Sequence, residues 1–148
     1  MDTPQTICTS SPNQTKALAA KLVQDLSQSS VFALYGDLGS GKTTFIQGLG
    51  EFFQIDNHIT SPSYTLIKQY PITFKNYQEL IHVDLSRLNL QSGSQQLGLE
   101  DFIQDPTCIV AIEWPEIIAS QLPAHHQLKF TSLSETKRAI EYQLIKSL

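Results

Sequence analysis

The chain has 148 residues, a net charge of −4 and 41% hydrophobic residues, a composition typical of a globular chain and not of a disordered one. A chain of this length can bury its own core, and we expect a single domain spanning residues 1–148. The acidic balance argues against tight direct binding to RNA or DNA, because it would repel a phosphate backbone. With neither a membrane-length apolar stretch nor a signal pattern, the sequence predicts a cytoplasmic protein without a membrane partner.

The first predicted elements are a short strand and an amphipathic helix. Residues 7–9 form a strand candidate, and residues 11–13 (Ser-Pro-Asn) are typical of a helix start. The apolar spacing then continues the helix to about Ser27. Cys8 and Cys108 lie in apolar runs without metal-ligand spacing, so we expect both to be buried free thiols.

The next two elements flank the most informative motif of the chain. Val31–Tyr35 is an apolar run of strand length, and Thr44–Phe53 carries its apolar residues on one helical face. Between them, residues 36–43 read GDLGSGKT and fit the phosphate-binding loop pattern G-x-x-x-x-G-K-[ST]. The order of strand, glycine-rich loop and helix is the one this motif requires, and it predicts nucleotide binding.

The residue types of this loop suit a triphosphate and its metal. Glycines let backbone N–H groups approach phosphate oxygens, and the helix start adds the positive end of its dipole. Lys42 can bridge the β- and γ-phosphates, and the Thr43 hydroxyl can ligate Mg²⁺. The predicted nucleotide-binding residues of the loop and first helical turn are Asp37, Leu38, Gly39, Ser40, Gly41, Lys42, Thr43 and Thr44.

The segment that follows this helix is rich in hydroxyl side chains. Pro62 argues against a helix there, and Ser63 and Thr65 are candidates for a switch segment that contacts the γ-phosphate or Mg²⁺. A β-turn followed by strand threonines is the alternative. Residues 64–70 and 80–83 are then predicted as strands.

Two acidic residues follow predicted strands. Asp84 comes after residues 80–83, and Glu113 comes after the apolar strand 108–112. Because open α/β sheets bind ligands at the carboxyl ends of their strands, we expect both carboxylates beside the phosphate loop. Glu113 is the better candidate to contact Mg²⁺ through water or to polarise the attacking water, with Asp84 supporting the metal. The alternative is a surface acid that happens to follow a strand.

The remaining segments complete an α/β pattern. Residues 97–103 are predicted as a short helix, and 128–133 with 139–145 as a C-terminal β-hairpin. The whole pattern predicts a P-loop NTPase-like sheet with helices on both faces. His82 is interpreted as a structural histidine, and Trp114 either packs on the core or lies beside the nucleotide.

Two classes of nucleotide enzyme fit the sequence poorly. The N-K-x-D and D-x-x-G segments of GTPases are absent. Small-molecule kinases usually close an arginine-rich lid, which is hard to build from only two arginines, Arg87 and Arg138. Adenine nucleotide is therefore favoured by elimination. A nucleotide-dependent binding module without turnover and a kinase with an unusual lid remain alternatives to an ATPase.

Four segments together resemble one family. They are residues 36–44 (GDLGSGKTT), 61–66 (SPSYTL), 82–88 (HVDLSRL) and 112–115 (IEWP). In this order they resemble TsaE, also called YjeE, the bacterial ATPase family of the tRNA threonylcarbamoyladenosine (t6A) system. The resemblance implies weak ATP hydrolysis by the chain alone, with ATP or ADP and Mg²⁺ bound. It also implies TsaD and TsaB homologues as partners, which modify adenosine 37 of tRNAs that read ANN codons and hold the tRNA themselves.

The resemblance also implies roles for individual residues. Lys42 and Thr43 would hold phosphate and Mg²⁺. Asp84 and Glu113 would serve the metal and the water, so that Lys42, Glu113 and Asp84 form the catalytic set. Trp114 would be the tryptophan beside the nucleotide.

Two positions depart from the family pattern. Ser63 stands where the family usually has threonine, and it keeps the hydroxyl while losing the methyl group. Ser86 stands where the family has tyrosine, so packing area and a phenolic hydroxyl are lost. Any switch or partner contact that such a tyrosine makes would be missing here.

Overall fold

The computed structural model describes residues 3–56, 59–60, 66–88 and 98–146. In chain order its elements are β1 (Gln5–Thr9), α1 (Pro12–Gln24), β2 (Val31–Tyr35), α2 (Lys42–Phe52), β3 (Ile67–Phe74), β4 (Tyr77–Asp84), α3 (Leu99–Gln104), β5 (Cys108–Glu113), a 3-10 helix (Pro115–Gln121), β6 (His125–Ser132) and β7 (Arg138–Ile145). Among these residues, no helix combines the length and apolarity that crossing a membrane would take.

A seven-stranded mixed sheet, in the order β1-β7-β6-β2-β5-β4-β3, organises the described residues. β2 pairs in parallel with β5 and β6, and β5 pairs in parallel with β4. The outer strands β7, β1 and β3 are antiparallel to their neighbours, and β6–β7 is the predicted C-terminal hairpin. The predicted α/β sheet is confirmed, and its central parallel strands bring their carboxyl ends to one edge.

Each face of the sheet carries its own hydrophobic layer, because side chains alternate along a strand. On one face α1 and α2 pack over β2, where Phe32, Phe45 and Leu49 are fully buried. On the other face α3 and the 3-10 helix contribute Leu99 and Ile118. The prediction of helices on both faces is therefore confirmed.

Helix α1 begins as its sequence predicts. The Ser11 hydroxyl accepts a hydrogen bond from the Gln14 N–H at 3.2 Å, and Pro12 occupies the first helical position, where its missing N–H costs nothing. The helix ends at Gln24, three residues before the predicted Ser27, and Asp25 follows as its C-cap.

The prediction that both cysteines are buried is wrong for one of them. Cys108 is buried and Cys8 is exposed, and both are free thiols. Cys8 lies on β1, which is an edge strand of the sheet, whereas Cys108 begins the central strand β5. An apolar run predicts a strand, but it does not reveal whether that strand lies at the edge.

Candidate functional site

The residues between β2 and α2 have the backbone of a phosphate-binding loop. Gly36, Gly39 and Gly41 have φ angles of +146°, +79° and +112°, a region that L side chains rarely adopt. At Gly36 a Cβ would also lie 2.5 Å from Ser40 Oγ and 2.8 Å from the Phe130 carbonyl oxygen. The loop therefore depends on glycine both for its conformation and for its close packing.

Lys42 is the first residue of α2, and its side chain is folded back over the loop. The ammonium donates to the Gly36 carbonyl oxygen and lies 3.7 Å from the centre of the Trp114 ring. Burial lowers the pKa of Lys42 below its ordinary 10.5, and four carboxylates oppose this shift: Glu113, Glu116, Asp84 and Asp37. A buried ammonium held by a carbonyl and an aromatic face is well placed to bind a phosphate oxygen.

Trp114 joins the loop to the core. It follows the last residue of β5 with a φ of +58°, which is unusual for a bulky residue and is a kind of backbone strain that clusters at active sites and ligand-binding segments. Its ring packs against the hydrophobic layer of the α3 face and also lies against the Lys42 ammonium. The packing of Trp114 on the core is thus observed. Its position beside Lys42 also fits the second alternative, in which the ring lies beside the nucleotide.

Asp84 and Glu113 end adjacent parallel strands and lie opposite each other in register. Both are buried, with 9% and 3% of their surface exposed, so neither is a surface acid. Glu113 Oε1 accepts a hydrogen bond from Thr43 Oγ1 at 3.0 Å. Asp84 Oδ1 accepts from the Ser86 N–H at 2.9 Å. The structure therefore brings the two strand-end carboxylates to the start of α2.

A cavity of about 480 Å³ lies between the loop and the strand ends, within the range of small-ligand sites. Most of the predicted residues line it: Leu38, Gly39, Gly41, Lys42, Thr43, Thr44, Asp84, Glu113 and Trp114. Of the others, Asp37 is exposed and Ser40 is buried, and neither lines the cavity. Ser63 and Thr65 lie outside the described residues.

The donor set beside the loop fits Mg²⁺. This ion binds proteins through one or two oxygen ligands and completes its shell with water and substrate phosphates. The Thr43 hydroxyl and the carboxylates of Glu113 and Asp84 line the cavity and offer oxygen atoms of this kind. A metal site built from protein alone would need a cluster of three or more His, Cys, Asp or Glu side chains. No such cluster occurs in the described ranges, which are residues 3–56, 59–60, 66–88 and 98–146.

Sequence reasoning did not assign Arg138 to the site. It begins β7, lines the cavity and donates from Nη2 to the Gly39 carbonyl oxygen at 3.2 Å. Arg87 also lines the cavity; from the sequence it was a candidate to act on phosphate charge as an arginine finger does, with pairing to a nearby acid as the alternative. No local pattern predicts the position of Arg138, because it depends on how distant strands are paired, whereas Arg87 lies in the motif segment 82–88.

His82 is a further residue that sequence reasoning did not assign to the site. It is fully buried, as a structural histidine would be, and its Nε2 lies 2.6 Å from Glu113 Oε2. The spacing of His82 and Asp84 was an available signal, because residues two apart on a strand share a face.

The chain is similar to known proteins of one family. The sequence model of the family "Threonylcarbamoyl adenosine biosynthesis protein TsaE" matches residues 9–140. A "tRNA threonylcarbamoyladenosine biosynthesis protein TsaE" of Bacillus subtilis is 32% identical over 139 residues, 93% of this chain and 84% of that protein. A protein of the same name from Synechocystis sp. is 38% identical over 117 residues, 76% of this chain and 70% of that protein.

A solved structure agrees with these matches. The crystal structure of Bacillus subtilis YdiB superposes with a TM-score of 0.75 and 28% identity, covering 98% of this chain and 88% of that one. The family match extends from β1 into β7 and so includes the phosphate loop, both strand-end carboxylates and Trp114. The chain therefore belongs to the TsaE family of threonylcarbamoyl adenosine biosynthesis proteins.

Proposed function

We propose that this protein is a Mg²⁺-dependent ATPase of tRNA t6A biosynthesis, which converts ATP to ADP and phosphate and acts with TsaD and TsaB homologues. The observation that carries the proposal is the 3.0 Å contact between Thr43 Oγ1 and Glu113 Oε1. It joins the hydroxyl of the phosphate loop to a buried strand-end carboxylate, the pair that Mg-dependent phosphoryl transfer uses. The names of the relatives support the t6A role.

In this proposal the phosphates are held by the loop. Three groups would direct positive charge at the phosphates: the backbone N–H groups of the loop, the N-terminus of α2 and the Lys42 ammonium. Mg²⁺, when bound, would offset charge on the β- and γ-phosphates. Thr43 would hold the ion directly, and Trp114 would keep the Lys42 side chain beside the phosphates.

The carboxylates have separate tasks. Glu113 would accept a hydrogen bond from the attacking water and so direct its oxygen at the γ-phosphate. Asp84 is held by the Ser86 N–H and would accept from waters around the ion. Each carboxylate accepts a hydrogen bond from the protein, and this contact restricts its orientation for these tasks.

The partners would supply the contact with tRNA. The net charge of −4 opposes direct binding to a nucleic-acid backbone. We propose that residues 1–148 act as one ATPase domain in the cytoplasm, where ATP binding and hydrolysis change its affinity for the TsaB–TsaD pair.

The test combines phosphate release with nucleotide binding. ATP turnover of the wild type should rise when the TsaB–TsaD pair is added. Lys42→Ala should weaken ADP binding at least tenfold in calorimetry, because it removes the ammonium that holds the phosphates. Glu113→Gln should keep nucleotide binding and lower turnover about 100-fold, the scale of general-base catalysis. Glu100→Gln, an exposed carboxylate on α3, is the matched control and should behave as the wild type.

Two other outcomes would contradict the proposal. A binding module without turnover would release no phosphate, with or without partners, while its partner affinity still depended on nucleotide. A small-molecule kinase would transfer labelled γ-phosphate to a metabolite. Unchanged turnover in Glu113→Gln would refute the role of Glu113.

A further inference from the structure

We propose that His82 is a positioning residue for Glu113: it holds one carboxylate oxygen so that the other faces Thr43 and the phosphate loop. The inference rests on the proposed ATPase function, since Glu113 is the carboxylate that would direct the attacking water in that function.

The contact between the two side chains is a short hydrogen bond. His82 Nε2 lies 2.6 Å from Glu113 Oε2, and in the tautomer with its proton on Nε2 the imidazole donates to this oxygen. The other carboxylate oxygen, Oε1, accepts from Thr43 Oγ1 at 3.0 Å. Two donors from different elements therefore hold the two oxygens. A glutamate side chain held at both oxygens loses the rotation that would carry it away from the loop.

The strand register explains how His82 reaches Glu113. Asp84 pairs with Glu113, and His82 pairs with Ala111, two residues earlier on β5. Since side chains two apart share a face, all four lie on the same side of the sheet as α2. The residue opposite His82 is therefore a small alanine, and Glu113 is the next residue of β5 on that face.

A buried histidine with a purely structural role would have hydrogen-bond partners for both of its ring nitrogens. His82 has no exposed surface, and its strand neighbour Leu80 belongs to the hydrophobic layer of this face. Buried polar groups are normally hydrogen-bonded throughout, yet among the described residues Nδ1 of His82 has no hydrogen-bond partner. An apolar residue would fill this position with no polar atom to bury. The imidazole thus occupies a core position where its one described hydrogen bond is to Glu113.

Two amide variants test the position of the donor. In His82→Gln the side-chain N–H reaches about as far as Nε2, whereas in His82→Asn it is shorter and cannot reach Glu113. We expect His82→Gln to retain kcat within about threefold. His82→Asn and His82→Leu should lose kcat by about 10- to 100-fold, with ADP affinity changed less than threefold. Affinity can be read from the fluorescence of Trp114, the sole tryptophan of the chain.

Thermal unfolding of each variant separates positioning from folding. Equal kcat in folded His82→Asn and wild type would overturn the proposal. Equal losses of kcat and nucleotide affinity in both amide variants would also overturn the proposal, because a purely structural role would produce that result. In a Glu113→Gln background, His82→Asn should cause no further loss, because His82 acts through Glu113.

Crystal structures of the nucleotide-free variants test the inference independently of turnover. Glu113 should keep its contact with Thr43 in His82→Gln and lose it in His82→Asn. A Glu113 carboxylate that still contacts Thr43 in His82→Asn would overturn the positioning role. Absence of phosphate release by the wild type, alone and with partners, would instead refute the proposed ATPase function.

Discussion

Gly48 lies on α2 where this helix packs against α1, and we predict that Gly48→Ala is destabilising. A Cβ there would lie 2.6 Å from Lys16 Cα, 2.8 Å from the Lys16 carbonyl oxygen and 3.0 Å from Lys16 Cβ. The two shortest contacts are with backbone atoms of α1, which cannot rotate away. The clash is therefore relieved only by moving the helices apart.

The magnitude follows from two opposing terms. Replacing glycine by alanine inside a helix favours folding by about 1 kcal/mol. Overpacking a well-packed core costs ~1–3 kcal/mol, and a contact with rigid backbone belongs at the upper end of this range. The free energy of unfolding of Gly48→Ala should therefore fall by about 2 kcal/mol.

Gly50→Ala is the matched control on the same helix. Its Cβ would lie 2.4 Å from Ile59 Cδ1, the end of a flexible side chain that can turn aside. The helix-propensity gain is the same, so its stability should stay within about 1 kcal/mol of the wild type. Urea unfolding followed by circular dichroism measures both variants. Stabilisation by Gly48→Ala, or equal losses in the two variants, would refute the rigid contact between α1 and α2.

Three further predictions concern the loop, the thiols and the effect of pH. Gly36→Ala should weaken ADP binding at least tenfold in calorimetry, because its Cβ would clash with Ser40 and the positive φ would be strained; unchanged affinity would contradict this. At about pH 8 a thiol reagent should label Cys8 quickly and Cys108 slowly, because burial raises the pKa of Cys108 to about 11; two fast thiols would be the contrary result. Burial lowers the pKa of His126 below its ordinary 6.5. As the pH falls, this imidazole is therefore protonated in the unfolded chain before it is protonated in the folded one. The free energy of unfolding should therefore decrease as pH falls below 6.5, and less so in His126→Gln, as urea titrations would show.

The elements that the sequence predicted best are those with local signals. β2 has the predicted bounds Val31–Tyr35, because a continuous apolar run ends there at Gly36. The hairpin β6–β7 follows from two alternating segments separated by a polar turn. Cys8 was misplaced because the same kind of apolar run occurs in edge and central strands.

The residues of the candidate site likewise divide into those with a local sequence signal and those without one. The sequence by itself determined the phosphate loop, since its glycines, Lys42 and Thr43 are consecutive and the flanking strand and helix are adjacent. It also indicated Asp84 and Glu113, because each directly follows an apolar strand run. Only the tertiary structure decided that His82 contacts Glu113, 31 residues away, and that Arg138 reaches Gly39, 99 residues away. These contacts depend on which strands are neighbours and in what register, and that choice is made by the packing of the whole sheet and not by any local segment.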